Sequence, residues 1–474
     1  MAGEMHKDLG VVGSWWQAMM KNAAANKTSD PNYFATRPEL LQTEANLELF
    51  VVGNGDDVYS HICPAIEQAQ QEVILITCFW ARSSSLDMLR ESLRALSEQV
   101  MAKRRSKVRV FIGFSSLSAL QKLFHTRSVA GSIYSGSAWT TKLSLPGPEE
   151  LPGLDIQVKS VFVLPFSVMH PKFVIIDRKL VLLPSCNVSW ESWFEGCIAL
   201  SGPIVKQFVT FWQTFWARTS SNDGNPDDVS FDISDQTKAV VCTRRADTQP
   251  GAAYSIVALS HLPPCYAIFL PSPHHAWPRF SFPWQKHRPP PSTPLNTFVL
   301  ELFESASSTI YIQTPNVTSL PVLSSILRML RRGVDVHILT SEKLMILEQL
   351  VTAGTTTSRC IRKLIKLYKR SNSISVHSDE ERLPVRIGKL KVEYYESKGC
   401  SQQDGEPVQT HLKLTIVDEE WTILGSGNLD RASWYTSQEL GVAFKSRELA
   451  KNVHHLVTRQ MEGRTKIAFD SAFS

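Results

Sequence analysis

The chain has 474 residues, of which 43% are hydrophobic, 20% charged and 9% aromatic. That apolar share is enough to form a buried core, which excludes intrinsic disorder for most of the chain. The 50 Lys and Arg residues outnumber the 45 Asp and Glu residues only slightly. The resulting formal charge of +5 is too small to indicate nucleic-acid binding by itself.

The spacing of the cysteines and the sequence at the start of the chain exclude further classes of protein. The eight cysteines are scattered singly, so neither a zinc ribbon nor a disulfide scaffold is predicted. We see no signal peptide, and no window approaches the roughly 18 uninterrupted apolar residues of a membrane-spanning helix. We therefore expect a monomeric intracellular protein, cytoplasmic or peripheral on a membrane, that has no transmembrane segment and needs no metal or other cofactor.

The first predicted lobe covers residues 45–218 and follows an N-terminal extension, residues 1–44. Residues 66–77 are predicted to be the end of a helix that runs into a buried strand. A helical pattern at 86–102 and an apolar strand at 108–113 follow. A strand, a helix and a strand in that order form a βαβ crossover, which predicts a mixed or parallel sheet flanked by helices.

A polar motif closes this lobe. His170-Pro-Lys172 leads into the apolar run 173–176 and ends at Asp177. Strand alternation places His170 and Lys172 on one face, so an imidazole lies beside a cation. Three further polar residues follow in the next turn and strand, namely Ser185, Asn187 and Glu195.

Residues 219–295 separate this lobe from the next one. Residues 219–237 are polar and acidic and resemble a linker. Residues 262–294 carry ten of the 26 prolines together with several aromatic residues. Because proline at that density forbids regular helix or central strand, we expect either an irregular ordered insertion beside the site or a plain linker.

The second predicted lobe, residues 296–462, repeats the first, and a C-terminal tail of residues 463–474 follows it. Residues 303–314 align with 66–77 without gaps, and a helix and a strand follow again. The polar motif also recurs with the same spacing. Its members are His411, Lys413, Asp418, Ser426, Asn428 and Glu439. The sequence therefore predicts two similar α/β lobes.

If the lobes pack face to face, two His, two Lys and two Asn converge on a pocket that suits a tetrahedral phosphate. One neutral histidine could then attack phosphorus while the other, protonated, donates to the leaving alcohol. Glu195 and Glu439 are candidates to fix the histidine tautomers. Asp177 and Asp418 are predicted to be either catalytic or fold-stabilising residues.

These paired His-x-Lys-x4-Asp motifs, with Gly425-Ser-Gly-Asn-Leu-Asp430 and Ser433 in the second, resemble the phospholipase D superfamily. The resemblance implies a bilobed α/β fold with one active site between the lobes, and phosphodiester cleavage or phosphatidyl transfer on phospholipids at a membrane surface. It also implies that His170 is the nucleophile and His411 the general acid. Pro184 and Cys186 depart from the family pattern in the first motif.

Several alternatives remain open at this stage. A nuclease of the same superfamily would use the same residues on a nucleic acid, and a catalytically silent lipid-binding scaffold would keep the fold. Residues 359–370 hold six cations around an apolar helical stripe, which predicts either a surface helix or a site for anionic lipid or a polynucleotide. The spacing of His261, His274, His275 and His287 fits no zinc site.

Overall fold

The computed structural model describes residues 10–26, 38–117, 131–162, 168–217, 254–272, 289–376, 386–398 and 405–473. The chain divides into two compact units. We call residues Thr43–Phe269 with Gly399–Val408 the first unit. The second unit comprises Met1–Gln42, Leu270–Lys398 and Gln409–Ser474. Each unit contains one of the two polar motifs.

The elements up to residue 272 alternate between strands and helices. Apart from α1, which belongs to the second unit, and the end of β10, which enters the second unit at Leu270, they build the first unit. In chain order they are α1 (Gly10–Asn26), β1 (Gln42–Gly53), α2 (Gly55–Glu67), β2 (Glu72–Phe79), α3 (Ser84–Ala102), β3 (Val108–Ser116), β4 (Ser132–Tyr134), α4 (Gly136–Leu143), β5 (Leu154–Ser160), β6 (Phe173–Ile176), β7 (Leu180–Pro184), β8 (Trp193–Ser201), α5 (Ile204–Phe215), β9 (Ser255–Ala258) and β10 (Cys265–Ser272).

The sheet of the first unit has the strand order β9, β1, β8, β7, β6, β2, β3, β5, β4. β3 pairs in parallel with β2 and β5, as the predicted βαβ crossover through α3 requires. β6 lies between β2 and β7 and is buried along its whole length. The loop that carries the first His and Lys therefore runs into the middle of the sheet.

Local sequence signals explain where the helices of this unit begin. Asn54 caps α2 in a reciprocal pair with Asp57, with N–H···O distances of 2.9 and 3.0 Å. The hydroxyl of Ser83 accepts a hydrogen bond from the Leu86 amide at the start of α3. Both helices bury an apolar face that includes Val58 and Leu89.

The second unit repeats this arrangement. Its remaining elements are α6 (Pro294–Ser305), β11 (Thr309–Thr314), α7 (Leu320–Arg331), β12 (Asp335–Thr340), α8 (Ile346–Ala353), α9 (Thr357–Val376), β13 (Leu390–Tyr395), β14 (Gln409–Thr410), β15 (Leu414–Val417), β16 (Trp421–Gly425), α10 (Arg431–Tyr435), β17 (Glu439–Lys445), α11 (Arg447–Met461) and β18 (Thr465–Asp470). The strand order is β17, β16, β15, β11, β12, β13, β18, with β12 parallel to β11 and β13. The predicted fold class, two similar mixed α/β lobes, is confirmed.

The predicted terminal segments contain structure that periodicity did not reveal. Within the predicted N-terminal extension, α1 packs on α6: the Trp15 indole N–H donates to the Pro294 carbonyl at 3.2 Å, and its ring meets Phe298 edge-on. Within the predicted C-terminal tail, β18 pairs with β13 and buries Phe469. Apolar side chains explain both cases, since each segment covers core that would otherwise face water.

The region between the lobes is described only in part. β9 and β10 form strands, and β9 pairs with β1. The expectation that residues 262–294 hold no regular strand is therefore wrong for β10, which tolerates Pro271 because that residue lies next to the end of the strand. The acidic stretch 219–237 and most of the proline and aromatic stretch, 273–288, lie outside the described residues. Within the described ranges, no helix combines the length and apolar character needed to cross a membrane.

Candidate active site

The first His and Lys lie in the loop that enters β6. Lys172 is almost fully buried, and its ammonium donates to the backbone carbonyl of His170 at 2.9 Å. His170 itself is half-buried. The first unit thus holds a fixed buried cation directly beneath a histidine that solvent can still reach.

The second His and Lys occupy the equivalent loop before β15, where both are buried. The Lys413 ammonium lies 2.8 Å from Nδ1 and 2.9 Å from Nε2 of His411. A lysine ammonium can only donate, so this contact requires an unprotonated ring nitrogen. An imidazolium at that distance would face a like charge.

A buried serine and glutamate support each motif. In the first unit the Ser185 hydroxyl donates to Glu195 and accepts from the Gly196 amide at 2.9 Å. In the second unit the Ser426 hydroxyl donates to Glu439 at 2.5 Å and accepts from the Leu440 amide at 3.0 Å. The serine hydrogens predicted to bind substrate are therefore directed at carboxylates. Both glutamates hold the turn that carries the asparagine.

Pro184, which departs from the family pattern, leaves this turn intact. The Ser185 amide donates to the Gly196 carbonyl at 2.8 Å, and the Ser426 amide donates to the Leu440 carbonyl at the same distance. Proline fits because it ends β7 at a position whose own amide is not needed for this bond. The serine amide of the first turn therefore keeps the same backbone hydrogen bond as the serine amide of the second.

The two asparagines differ in their partners. Asn187 accepts a hydrogen bond from the Phe79 amide at 3.2 Å through its side-chain oxygen. The Asn428 amide nitrogen donates to Asp430 at 3.1 Å. Its side-chain oxygen is buried and has no hydrogen-bond partner among the described residues. Asn428 is thus the less satisfied of the two, and its amide group is the more readily redirected to a ligand.

Two carboxylates near the asparagines, the buried Asp430 and the half-buried Glu191, were not among the predicted site residues. Burial raises the pKa of Asp430 to about 6, and the nearby Glu348 and Glu439 carboxylates add to that rise. Burial also raises the pKa of Glu191, whose carboxylate accepts a hydrogen bond from Ser189 and lies close to Lys172 and Glu195. Asp430 was visible in the motif, but nothing in the local spacing singled out Glu191.

The structure gives both motif aspartates a position that stabilises the fold. Asp177 accepts three backbone N–H groups, from residues 70–72 at the start of β2, at 2.6–2.9 Å. Asp418 accepts the equivalent N–H groups of residues 307–309 at 2.8–2.9 Å. In each unit a four-residue strand separates the aspartate from the histidine. We therefore place both aspartates outside the reacting groups.

The described residues contain no group of three His, Cys, Asp or Glu side chains that could hold a metal ion. His261 is exposed at the surface. His274, His275 and His287 lie outside the described residues. Positive charge in each motif is instead supplied by Lys172 and Lys413.

A repeated α/β unit with a His and a Lys at the entrance to a central strand defines a phospholipase D-like protein. Comparison with known proteins agrees: residues 299–460 match the family described as "Cardiolipin synthase, PLD-like domain". The chain is 22% identical to cardiolipin synthase A of Pseudomonas putida, over 99% of this chain and 80% of that one. The chain thus matches a phospholipase D-like family model over its second unit and resembles a cardiolipin synthase over nearly its whole length.

The fold also matches a solved structure. The crystal structure of phosphatidylserine synthase from Haemophilus influenzae superposes with a TM-score of 0.55 at 15% identity, covering 94% of this chain and 91% of that chain. At this identity the match concerns the fold, and it extends over both units.

Proposed function

We propose that the protein is a phosphatidyltransferase that moves a phosphatidyl group between alcohols of phospholipids, with hydrolysis when water is the acceptor. The observation that carries this proposal is the duplicated site, in which a His-Lys pair lies next to a Ser-Glu pair in both units. The similarity to a cardiolipin synthase and to the fold of a phosphatidylserine synthase supports a phospholipid as the substrate.

In the proposed mechanism, the neutral ring of His170 attacks phosphorus and the bond to the leaving alcohol breaks. His411 donates the proton that this alcohol takes away. In the second step His411 removes a proton from the acceptor alcohol, whose oxygen attacks the phosphohistidine and releases His170. The lysine of each motif offsets negative charge on the phosphate oxygens.

The contact between Lys413 and His411 suggests the order of two events, with substrate binding before protonation of His411. His411 must carry a proton to act as an acid, yet the Lys413 ammonium at 2.8 Å opposes that proton. A phosphate group would offer Lys413 an anionic partner and draw it away from the ring. We therefore propose that substrate binding itself allows His411 to become protonated.

Mass spectrometry of mixed phospholipid vesicles incubated with the protein, ethanol and a metal chelator tests this proposal. Phosphatidylethanol formed by the wild type and absent with His411→Asn would support a phosphatidyl-enzyme and would identify the donor lipid. Cleavage of single-stranded oligonucleotides with every phospholipid left intact would overturn the proposal in favour of a nuclease.

A further inference from the structure

Helix α8 in the second unit exposes large apolar side chains to solvent and buries a polar one. We define the α8 patch as the exposed large apolar residues of this helix together with Met345, which directly precedes it. The other members are Ile346, Leu347, Leu350 and Val351. Leu347 is 79% exposed and Val351 is 59% exposed, whereas the polar Gln349 is only 3% exposed. A surface helix ordinarily buries its apolar side, so this arrangement requires an explanation.

The reversed orientation is fixed from inside the protein. The Gln349 amide nitrogen donates to Asn316 Oδ1 at 2.8 Å and to the Leu344 carbonyl at 2.6 Å. Its oxygen accepts the Thr357 amide at 2.6 Å. With its amide group satisfied in this way, Gln349 holds α8 in place, and the apolar residues around it face outward.

Helix α9, which begins after a three-residue connection, carries a row of exposed cations. Its own apolar side is buried at Ile361, Leu364 and Tyr368, as the sequence pattern allowed. Its outward side presents Arg359, Arg362, Lys363, Lys366 and Arg370. Residues 342–370 contain seven Lys and Arg against two Glu, an excess that equals the formal charge of +5 of the whole chain. The basic character of the protein is thus concentrated beside the α8 patch.

The α8 patch also lies near the second polar motif. α8 packs against α10, whose first residue directly follows Asp430. The α8 patch and the second polar motif therefore lie close together, and the cations of α9 follow α8 along the chain in the same unit.

We propose that the α8 patch inserts into the surface of an anionic phospholipid bilayer while the cations of α9 bind its headgroups. A bilayer fits both features, since apolar side chains enter the acyl boundary and basic side chains pair with lipid phosphates. This inference rests on the proposed function for the identity of the substrate lipid. It goes beyond that function in assigning the surface through which the enzyme reaches the lipid.

Vesicle co-sedimentation with two matched pairs of variants tests the proposal. Leu347→Glu combined with Val351→Glu should weaken binding to vesicles containing phosphatidylglycerol at least roughly tenfold, since it places charge in the acyl boundary. Its control, Met101→Glu combined with Ile133→Glu, alters residues of the first unit that are 53% and 64% exposed and should bind as the wild type does. Lys363→Gln combined with Lys366→Gln should weaken binding by about 25-fold, about fivefold for each charge. Lys103→Gln combined with Lys206→Gln is its control.

A second assay separates this proposal from the proposed function. On a short-chain phospholipid below its critical micelle concentration, the Leu347 and Val351 variant should retain wild-type turnover. If the wild type binds vesicles through α8 but turns over no lipid in either form, the proposed function fails and the docking surface stands. If the variant turns over long-chain vesicle lipid and binds vesicles as the wild type does, the docking surface is wrong.

Two further outcomes would also overturn the inference. A concentration-dependent dimer that Leu347→Glu disrupts, with vesicle binding unchanged, would assign the α8 patch to a second copy of the chain. Oligonucleotide binding that Lys363→Gln weakens, with no vesicle binding, would assign α9 to a polynucleotide.

Discussion

The two polar motifs share a hydrogen-bonded serine and glutamate but differ in what surrounds this pair. In both units a buried serine hydroxyl donates to a glutamate and accepts a hydrogen bond from the backbone amide of the residue after that glutamate. The distance from this amide nitrogen to the serine oxygen is 2.9 Å in the first unit and 3.0 Å in the second. Around this common turn, His170 stays half-buried and Lys172 binds a carbonyl. His411 is only 3% exposed and contacts its own lysine. The two histidines therefore lie in different environments although the serine and glutamate beside them make the same contacts.

The buried acids differ in the same way. In the second motif Asp430 lies two residues after the asparagine and caps α10 by accepting the Ser433 amide at 2.8 Å. In the first motif Ser189 stands two residues after the asparagine, and the acid is Glu191, two residues further along. Each asparagine thus has a carboxylate close by, but only the second carboxylate, Asp430, is buried and caps a helix.

The largest expected effect separates the roles of the two histidines. His170→Asn and His411→Asn should each lower transfer on a natural phospholipid by about 10³-fold or more, since each loses a catalytic group. A substrate with a p-nitrophenol leaving group needs no proton from an acid. On it His411→Asn should still release one nitrophenol per protein in a burst, whereas His170→Asn should release none.

The opposite result on that substrate would assign attack to His411. The contact between Lys413 and His411 would then describe the nucleophile before it attacks. Near-ultraviolet circular dichroism of both variants checks that neither loss comes from unfolding.

The next effect tests why one turn tolerates proline. A Cβ at Gly425 would lie 2.3 Å from the Leu440 carbonyl oxygen and 2.6 Å from the Gly441 Cα, both backbone atoms that cannot turn away. Gly425→Ala should therefore lower the free energy of unfolding by about 3 kcal/mol or more. Pro184→Gly should cost only about 1 kcal/mol, mainly through greater freedom of the unfolded chain.

Urea denaturation measures both changes. Equal losses for the two variants would show that the first turn depends on its proline as strongly as the second depends on its glycine.

Sequence reasoning succeeded where the signal is a repeated pattern. The alignment of residues 66–77 with 303–314 predicted β2 and β11 together with the helix that precedes each, and the histidine spacing predicted the strands β6 and β15. It could not predict contacts that depend on how separate segments meet. The hydrogen bonds that Asp177 and Asp418 accept from distant backbone amides are contacts of this kind. The position of Glu191 near Lys172 and Glu195 is another example.

Helix α8 shows a second limit of sequence reasoning. Its apolar residues would ordinarily predict a buried helix, and only the buried hydrogen bonds of Gln349 explain why they face outward. Periodicity identifies the apolar side of a helix but not the direction in which that side faces.

A third effect follows from the raised pKa of Asp430, about 6 against the usual 3.8. Between these values the folded protein binds more protons at this group than the unfolded chain does, so its contribution to stability falls as pH rises through this window. Asp430→Asn keeps a capping oxygen and stays neutral. Its free energy of unfolding should exceed that of the wild type by an amount that grows from pH 4 to pH 7, up to about 3 kcal/mol.

Urea denaturation at a series of pH values gives this difference directly. Glu191→Gln in the first motif is the matched comparison, because the pKa of Glu191 is also raised by burial. A difference between Asp430→Asn and the wild type that stays constant with pH would contradict the assignment of this titration to Asp430.

The smallest effect concerns the serines that hold the buried acids. Ser433 donates to Glu439 at 2.7 Å and accepts the Asn428 backbone amide at 3.2 Å, so Ser433→Ala removes a hydrogen bond from each of these two buried groups. We expect a loss of about 2 kcal/mol in the free energy of unfolding. Ser189 donates only to the partly buried Glu191, so Ser189→Ala should cost less than about 1 kcal/mol. Denaturation in urea at pH 7 distinguishes the two values. If both variants lost the same amount, the network around Asn428 would contribute no more than a single hydrogen bond, and the more enclosed second motif would owe its stability to packing instead.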